Sequence, residues 1–124
     1  RAQGIPPSKE DAIRDWLDIV TAPDCLNVVA RHDDRTVGHA MLVADDGSHE
    51  LAIFVLQDYQ GAGIGTELLE TTLGAAREAG FGNIWLSVER WNRPAIALYR
   101  KVGFEPTESG NFEKEMRLEL EAAG

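Results

Sequence analysis

Hydrophobic positions recur along this chain first at helical and then at strand spacing, and the change of period marks out the elements. After an irregular lead-in from Arg1 to Pro7, Ser8 is placed as an N-cap with Asp11 three residues on. Ala12, Ile13, Trp16, Leu17 and Val20 then follow on one helix face, which predicts a helix closed by Thr21-Ala22-Pro23, with Trp16 in the core. Leu26 to Arg31 and Thr36 to Ala44 are β-rich runs around the polar His32-Asp33-Asp34-Arg35, which reads as a hairpin. In the second run Val37, His39, Met41 and Val43 share one face, and Gly38, Ala40, Leu42 and Ala44 the other. Asp45-Asp46-Gly47-Ser48 carries the Asp-Gly signal of another tight hairpin. The run His49 to Leu56 is apolar on both faces after Glu50, which predicts a central strand covered on both sides.

The period changes again at Gln60-Gly61-Ala62-Gly63-Ile64-Gly65-Thr66. Beyond it Leu68, Leu69, Thr72, Leu73 and Ala76 form a helical stripe that Gly80 stops. Asn83 to Glu89 alternates, with Ile84, Leu86 and Val88 on one face. A strand, helix and strand in this order predict a parallel pair joined by a right-handed crossover, with the glycine turn at the C-terminal end of the first strand. Asn92 is a natural N-cap and Pro94 is tolerated in a first turn, so Arg93 to Val102 reads as a helix closed by Gly103. Phe112, Met116, Leu118 and Leu120 alternate with Glu113, Glu115, Arg117 and Glu119, giving a last strand with one wet face. The whole, residues 1–124, is read as one domain.

The glycine turn is the first candidate for chemistry. Glycines at 61, 63 and 65 leave no Cβ to hold a ligand off the backbone, so several N–H groups can converge on one anion beside a helix N-terminus. A pyrophosphate suits that geometry. Such turns also serve plain strand–helix connections, so the turn alone does not settle the matter.

Composition narrows the partners. With 44% hydrophobic and 27% charged residues the chain reads as soluble and globular, and its longest apolar run, Leu51 to Leu56, is far too short to span a membrane. A net charge of −9 argues against nucleic acid as the main partner. The lone Cys25 fits a reducing cytoplasm, and no Cys/His spacing suggests a metal site. Lys9, Lys101 and Lys114 are the only lysines, a lysine-poor acidic surface that suits either salt adaptation or ordinary solubility.

The flanking text adds a second signal. Gln60, Gly63 and Gly65 match the acyl-CoA signature Gln/Arg-x-x-Gly-x-Gly/Ala, and Asn92, Ala95, Leu98, Tyr99, Gly103 and Phe104 match a second signature in the right order and at the right separation. On these residues the chain resembles the GCN5-related N-acetyltransferase (GNAT) family. The likeness runs from about Leu26 to Leu120 and is densest between Glu50 and Phe104.

That resemblance implies an α/β fold with a mixed, mostly antiparallel twisted sheet, flanked by helices, whose one parallel strand pair is splayed. It implies acetyl-CoA as co-substrate, no metal, and transfer of the acetyl group to a primary amine of a small molecule or protein. By similarity, the pantetheine arm would lie along Ile53, Phe54 and Val55 as an added strand. The pyrophosphate would sit on the backbone of Gly61, Ala62, Gly63, Ile64, Gly65 and Thr66 behind Gln60, and Asn92 would hold the arm from the far side. Tyr99 matches the family's general acid, set against its plainer reading as a core tyrosine. The backbone N–H near Val55 matches the oxyanion donor. Glu50 stands where some protein-lysine acetyltransferases of the family carry a base, and His49 and Glu89 are reserves. Ser87 replaces the glutamate of ribosomal-protein N-terminal acetyltransferases, which argues against that substrate. Gln57 replaces a frequent proline.

The family's first strand and helix have no counterpart before Ser8. The strand beginning at Leu26 is therefore expected to leave an edge open, to be covered by residues preceding Arg1 or by a second copy in a homodimer. Two other functions are weighed against the transferase. One is a catalytically silent acetyl-CoA sensor. The other is a dinucleotide-binding module, disfavoured because Thr66 stands where its third glycine or alanine belongs.

Overall fold

The computed structural model describes residue 13, residues 15–22 and residues 25–121. Among the described residues seven strands form one sheet: β1 (Leu17–Ala22), β2 (Cys25–His32), β3 (Arg35–Asp45), β4 (Ser48–Val55), β5 (Asn83–Glu89), β6 (Glu105–Ser109) and β7 (Glu113–Glu119). Their spatial order is β1-β2-β3-β4-β5-β7-β6, and only the β4/β5 pair is parallel. Helix α1 (Ile64–Glu78) crosses from β4 to β5, and α2 (Arg93–Lys101) follows β5.

Both tight hairpins form where their turn chemistry places them. Asp33 and Asp34 take positive φ of 55° and 62°, and Asp46 and Gly47 take 48° and 90°, the left-handed pair that primed hairpin turns require. Leu26, Val28, Gly38, Ala40, Leu42 and Leu51 make one buried face of the sheet. Ile64, Leu68, Leu69, Leu73 and Ala76 of α1 join the same core. Val37 is buried as well, out of alternation, because a β-bulge between Ala30 and Arg31 shifts the β2/β3 register.

The segment before β2 departs from expectation. Leu17–Ala22 is a strand, paired antiparallel with β2 from Leu17↔Ala30 to Ala22↔Cys25, and not the end of a helix. Apolar residues at 13, 16, 17 and 20 satisfy a helical period. Three β-branched residues in a row, Ile19-Val20-Thr21, fit a strand better, and the open edge of β2 offers them backbone partners. Ser8, Asp11, Ala12 and Pro23 of the expected helix lie outside the described residues. The β2 edge is therefore covered by β1, which removes the ground on which a homodimer or a preceding segment was expected there. Trp16 is half-buried, packs against the core and stacks on His32 at 4.2 Å, and His32 Nδ1 lies 3.0 Å from the Tyr59 hydroxyl.

Three further expectations change. β4 is central, yet Ala52 and Phe54 are exposed, Phe54 by 59%, so its second face is not covered as its apolar sequence implied. Glu105–Ser109 forms a strand that the pattern did not reveal, since all five residues are exposed and Pro106 sits at a bulge on the sheet edge. Phe112, aligned by alternation with Met116, precedes β7 and is 69% exposed.

One contact fixes how closely α1 approaches the sheet. A Cβ on Gly38 would lie 2.8 Å from Leu68 Cδ1, 3.3 Å from the Phe54 carbonyl oxygen and 3.4 Å from Ile64 Cγ2. Gly38→Ala should therefore push the start of α1 outward at a cost of about 1–3 kcal/mol, lowering Tm by roughly 5–15 °C in a thermal melt. An unchanged Tm would show that Leu68 rotates away freely.

Candidate active site

The site begins with a gap in the sheet. β4 and β5 are in register only at His49↔Ile84 and Glu50↔Trp85, while β4 stays paired with β3 through Val55 and β5 with β7 through Glu89. Beyond Glu50 the two parallel strands diverge, leaving the β5-facing backbone groups of β4 without ladder partners. Gln60 Nε2 donates to the Val55 carbonyl at 3.0 Å and so ties the glycine turn to the strand end.

Helix α1 starts at the mouth of this gap. Gly63 is its N-cap with φ 92°, and Gly61 has φ 86°, conformations that side chains rarely adopt. The first helical bond runs from Glu67 N–H to the Gly63 carbonyl at 3.1 Å, so the N–H groups of Ile64, Gly65 and Thr66 have no acceptor within the helix. They are an anion site by geometry.

A cleft of about 510 Å³ occupies the gap. Ile53 and Val55 of β4, the turn residues Gln60, Gly61, Gly63, Gly65 and Thr66, and Asn92, Pro94, Ala95, Leu98 and Tyr99 line it. A Cβ on Gly65 would meet Leu98 Cδ2 at 3.8 Å and Val55 Cγ2 at 3.9 Å, so the missing side chain is part of what keeps the cleft open. Asn92 Oδ1 accepts from the Ala95 N–H at 3.3 Å, capping α2. Tyr99 is buried, with 8% of its surface exposed, and its ring meets Phe104 edge-on at 5.9 Å. Burial raises its phenol pKa above the usual 10.0, so the group stays protonated throughout the neutral range.

Several expected residues lie elsewhere. Ile64 is fully buried and can offer only its backbone, and Ala62 does not line the cleft. Phe54 and Glu50 alternate onto the opposite face of β4 from Ile53 and Val55. Pro94, Ala95 and Leu98 were not among the expected site residues, although helical spacing puts 95, 98 and 99 on one face. Among the described residues no group of three His, Cys, Asp or Glu could hold a metal ion, and no helix is long and apolar enough to cross a membrane.

The Acetyltransferase (GNAT) family matches residues 2–104. This chain belongs to the GNAT family. An uncharacterized N-acetyltransferase of Mycobacterium tuberculosis is 37% identical over 92 residues, covering 73% of this chain. The chain spans only 59% of the length of that relative. Among solved GNAT structures, the ribosomal-protein-S18-alanine N-acetyltransferase of Escherichia coli is similar with a TM-score of 0.71 and 26% identity, covering 90% of this chain and 86% of that one. The PaiA N-acetyltransferase of Thermoplasma acidophilum, solved with coenzyme A, has a TM-score of 0.71 at 23% identity, covering 78% and 62%. The sheet order and the single parallel pair described above are thus those of a GNAT fold.

Proposed function

We propose that this chain binds acetyl-CoA in the β4/β5 cleft and transfers the acetyl group to a primary amine, inside a cytoplasm. The observation that carries the reading is one juxtaposition: orphan N–H groups at the start of α1, unpaired backbone of β4 and a buried phenol meet in a single cleft.

The residues fit the co-substrate. The N–H groups of Ile64, Gly65 and Thr66 would hold the pyrophosphate, the free edge at Ile53 to Val55 would pair with the pantetheine amides, and Asn92 would face the arm from α2. Transfer needs a neutral amine, a donor to the developing oxyanion and a proton for the departing thiolate. The Val55 backbone N–H would serve the second task and Tyr99 the third, and both residues line the cleft. A more basic phenol is a weaker acid. The thiolate leaves into the same buried surroundings, however, which raise its own basicity and keep the transfer feasible.

Glu50 occupies the last register position before the strands part, on the other face of β4. The amine would then approach from the face carrying Glu50, Ala52 and Phe54, with acetyl-CoA threaded from the α1 side. Glu50 would then take the amine's proton, directly or through a water.

Calorimetry with acetyl-CoA followed by a free-thiol assay across an amine panel tests the function. Binding with amine-dependent thiol release is the expected result, and binding without release would identify a silent sensor instead. In the same assay Glu50→Gln should lower turnover most near neutral pH, with a loss that shrinks as the free-amine fraction grows. A loss independent of pH would assign Glu50 to positioning.

A further inference from the structure

We propose that His32 and Tyr59 are positioning residues for the acyl-CoA site: the hydrogen bond between them, backed by Trp16, holds the glycine turn that receives the pyrophosphate. The proposal deepens the co-substrate reading and rests on it.

The turn needs support from outside itself. Gly61 and Gly63 hold left-handed φ of 86° and 92°, and glycine loses more backbone freedom on ordering than any other residue. Among the described residues a Cβ on Gly61 would meet nothing within 4 Å, so the crest of the turn has no packing of its own. Gln60 Nε2 on the Val55 carbonyl ties the turn to the sheet. With that tether alone, backbone beside the anion would have to be ordered as the anion arrives, which subtracts from affinity.

A second support comes from the short helical turn Gln57–Tyr59, directly before Gln60. Its last residue, Tyr59, is half-buried, and its hydroxyl lies 3.0 Å from Nδ1 of His32, the residue that ends β2. Trp16 backs this pair, stacked on His32 at 4.2 Å with 21° between the planes and edge-on to Tyr59 at 6.4 Å. Arg35, at the start of β3, has its Cζ 6.0 Å from the centre of the Tyr59 ring. Trp16 is itself fixed: its carbonyl accepts from the Arg31 N–H at 2.9 Å, and its N–H donates to the Ile13 carbonyl at 2.9 Å. Ile13 is fully buried, and a Cβ on Gly63 would lie 3.6 Å from Ile13 Cδ1. The residues just before β1 therefore reach the turn at two points, at Gly63 directly and at Gln60 through His32 and Tyr59.

Packing alone does not call for the bond. Any flat ring at position 32 would cover Trp16, whereas a directional N···O contact fixes where Tyr59 sits. Neither His32 nor Tyr59 lines the cleft, so the pair reaches the ligand only through the turn.

The test compares two acyl donors. S-acetylpantetheine carries the same thioester as acetyl-CoA without the pyrophosphate. Tyr59→Phe and His32→Phe each keep a ring in place and remove the bond, and circular dichroism checks that each is folded. Each should weaken coenzyme A binding by calorimetry about three- to tenfold and raise the KM for acetyl-CoA alike, with kcat kept. The kcat/KM for S-acetylpantetheine should stay at the parent's value. The double variant should lose no more than either single one, because the same bond is missing from all three. Unchanged coenzyme A affinity in both variants would overturn the proposal, and so would an equal fall for the two donors, the mark of plain structural support. Weakened coenzyme A binding in the variants, with no transfer by the parent, would uphold the positioning and refute the transfer reading. A parent that binds no acetyl-CoA would refute the co-substrate reading and this proposal with it.

Discussion

Gly65→Val is expected to weaken acetyl-CoA binding by about 10²-fold or more, roughly 3 kcal/mol, while leaving the protein folded. Gly65 lies in the first turn of α1 without a positive φ, so a β-branched residue meets no backbone strain there. Its Cβ would find Leu98 and Val55 at 3.8 Å and 3.9 Å, ordinary packing distances, and the helix gains by losing a glycine. The two methyl groups would stand in the cleft beside the N–H groups proposed for the pyrophosphate. Gly63 is the poorer probe. Its φ of 92° makes any side chain strained, so lost binding in a Gly63 variant would not separate a filled site from a distorted turn. Calorimetry gives the affinity of Gly65→Val and a thermal melt its stability. A folded variant with the parent's affinity would remove the glycine turn from the site.

The parts of this molecule that were legible in its sequence are those in which local chemistry and tertiary packing agree. Asp33-Asp34 and Asp46-Gly47 are turn residues whose left-handed conformations need nothing from the rest of the fold, and both hairpins form. Gly38, Ala40 and Leu42 alternate and are buried together. Leu17–Ala22 was ambiguous because Leu17 and Val20 satisfy a helical period, while Leu17, Ile19 and Thr21 satisfy alternation equally well. The deciding partner, the β2 edge, is a tertiary feature. Phe54 shows the same limit from the other side. An apolar strand residue does not announce whether anything covers it, and here 59% of its surface is exposed.

In the site, residues whose backbone carries the geometry were legible through glycine spacing and helix capping. Gly61, Gly63 and Asn92 take the conformations and bonds that their types imply. Side-chain direction was harder. Ile53, Phe54 and Val55 are consecutive, and strand alternation allows only two of the three to face the cleft. Tyr99 sits on an apolar helix face, which is equally the pattern of a core tyrosine. Its position against Phe104 and in the wall of the cleft satisfies both descriptions.

Tyr99→Phe separates those descriptions. Phenylalanine keeps the ring against Phe104 and removes only the hydroxyl, so acetyl-CoA affinity should hold while turnover falls by about 10²-fold. The parent phenol has a raised pKa from burial, so its proton remains available up to and beyond pH 10, and the parent should show no loss of turnover from this group below that point. The same shift has a consequence for stability. A phenol whose folded pKa exceeds its unfolded value contributes stability that is complete below pH 10 and is lost as pH rises through the folded pKa. Melts between pH 9 and pH 11 should therefore show a steeper alkaline decline in the parent than in Tyr99→Phe. A variant with flattened alkaline melts and unchanged turnover would identify Tyr99 as a buried core residue and nothing more. Flattened melts with turnover down about 10²-fold and affinity intact would make the hydroxyl the source of the leaving group's proton.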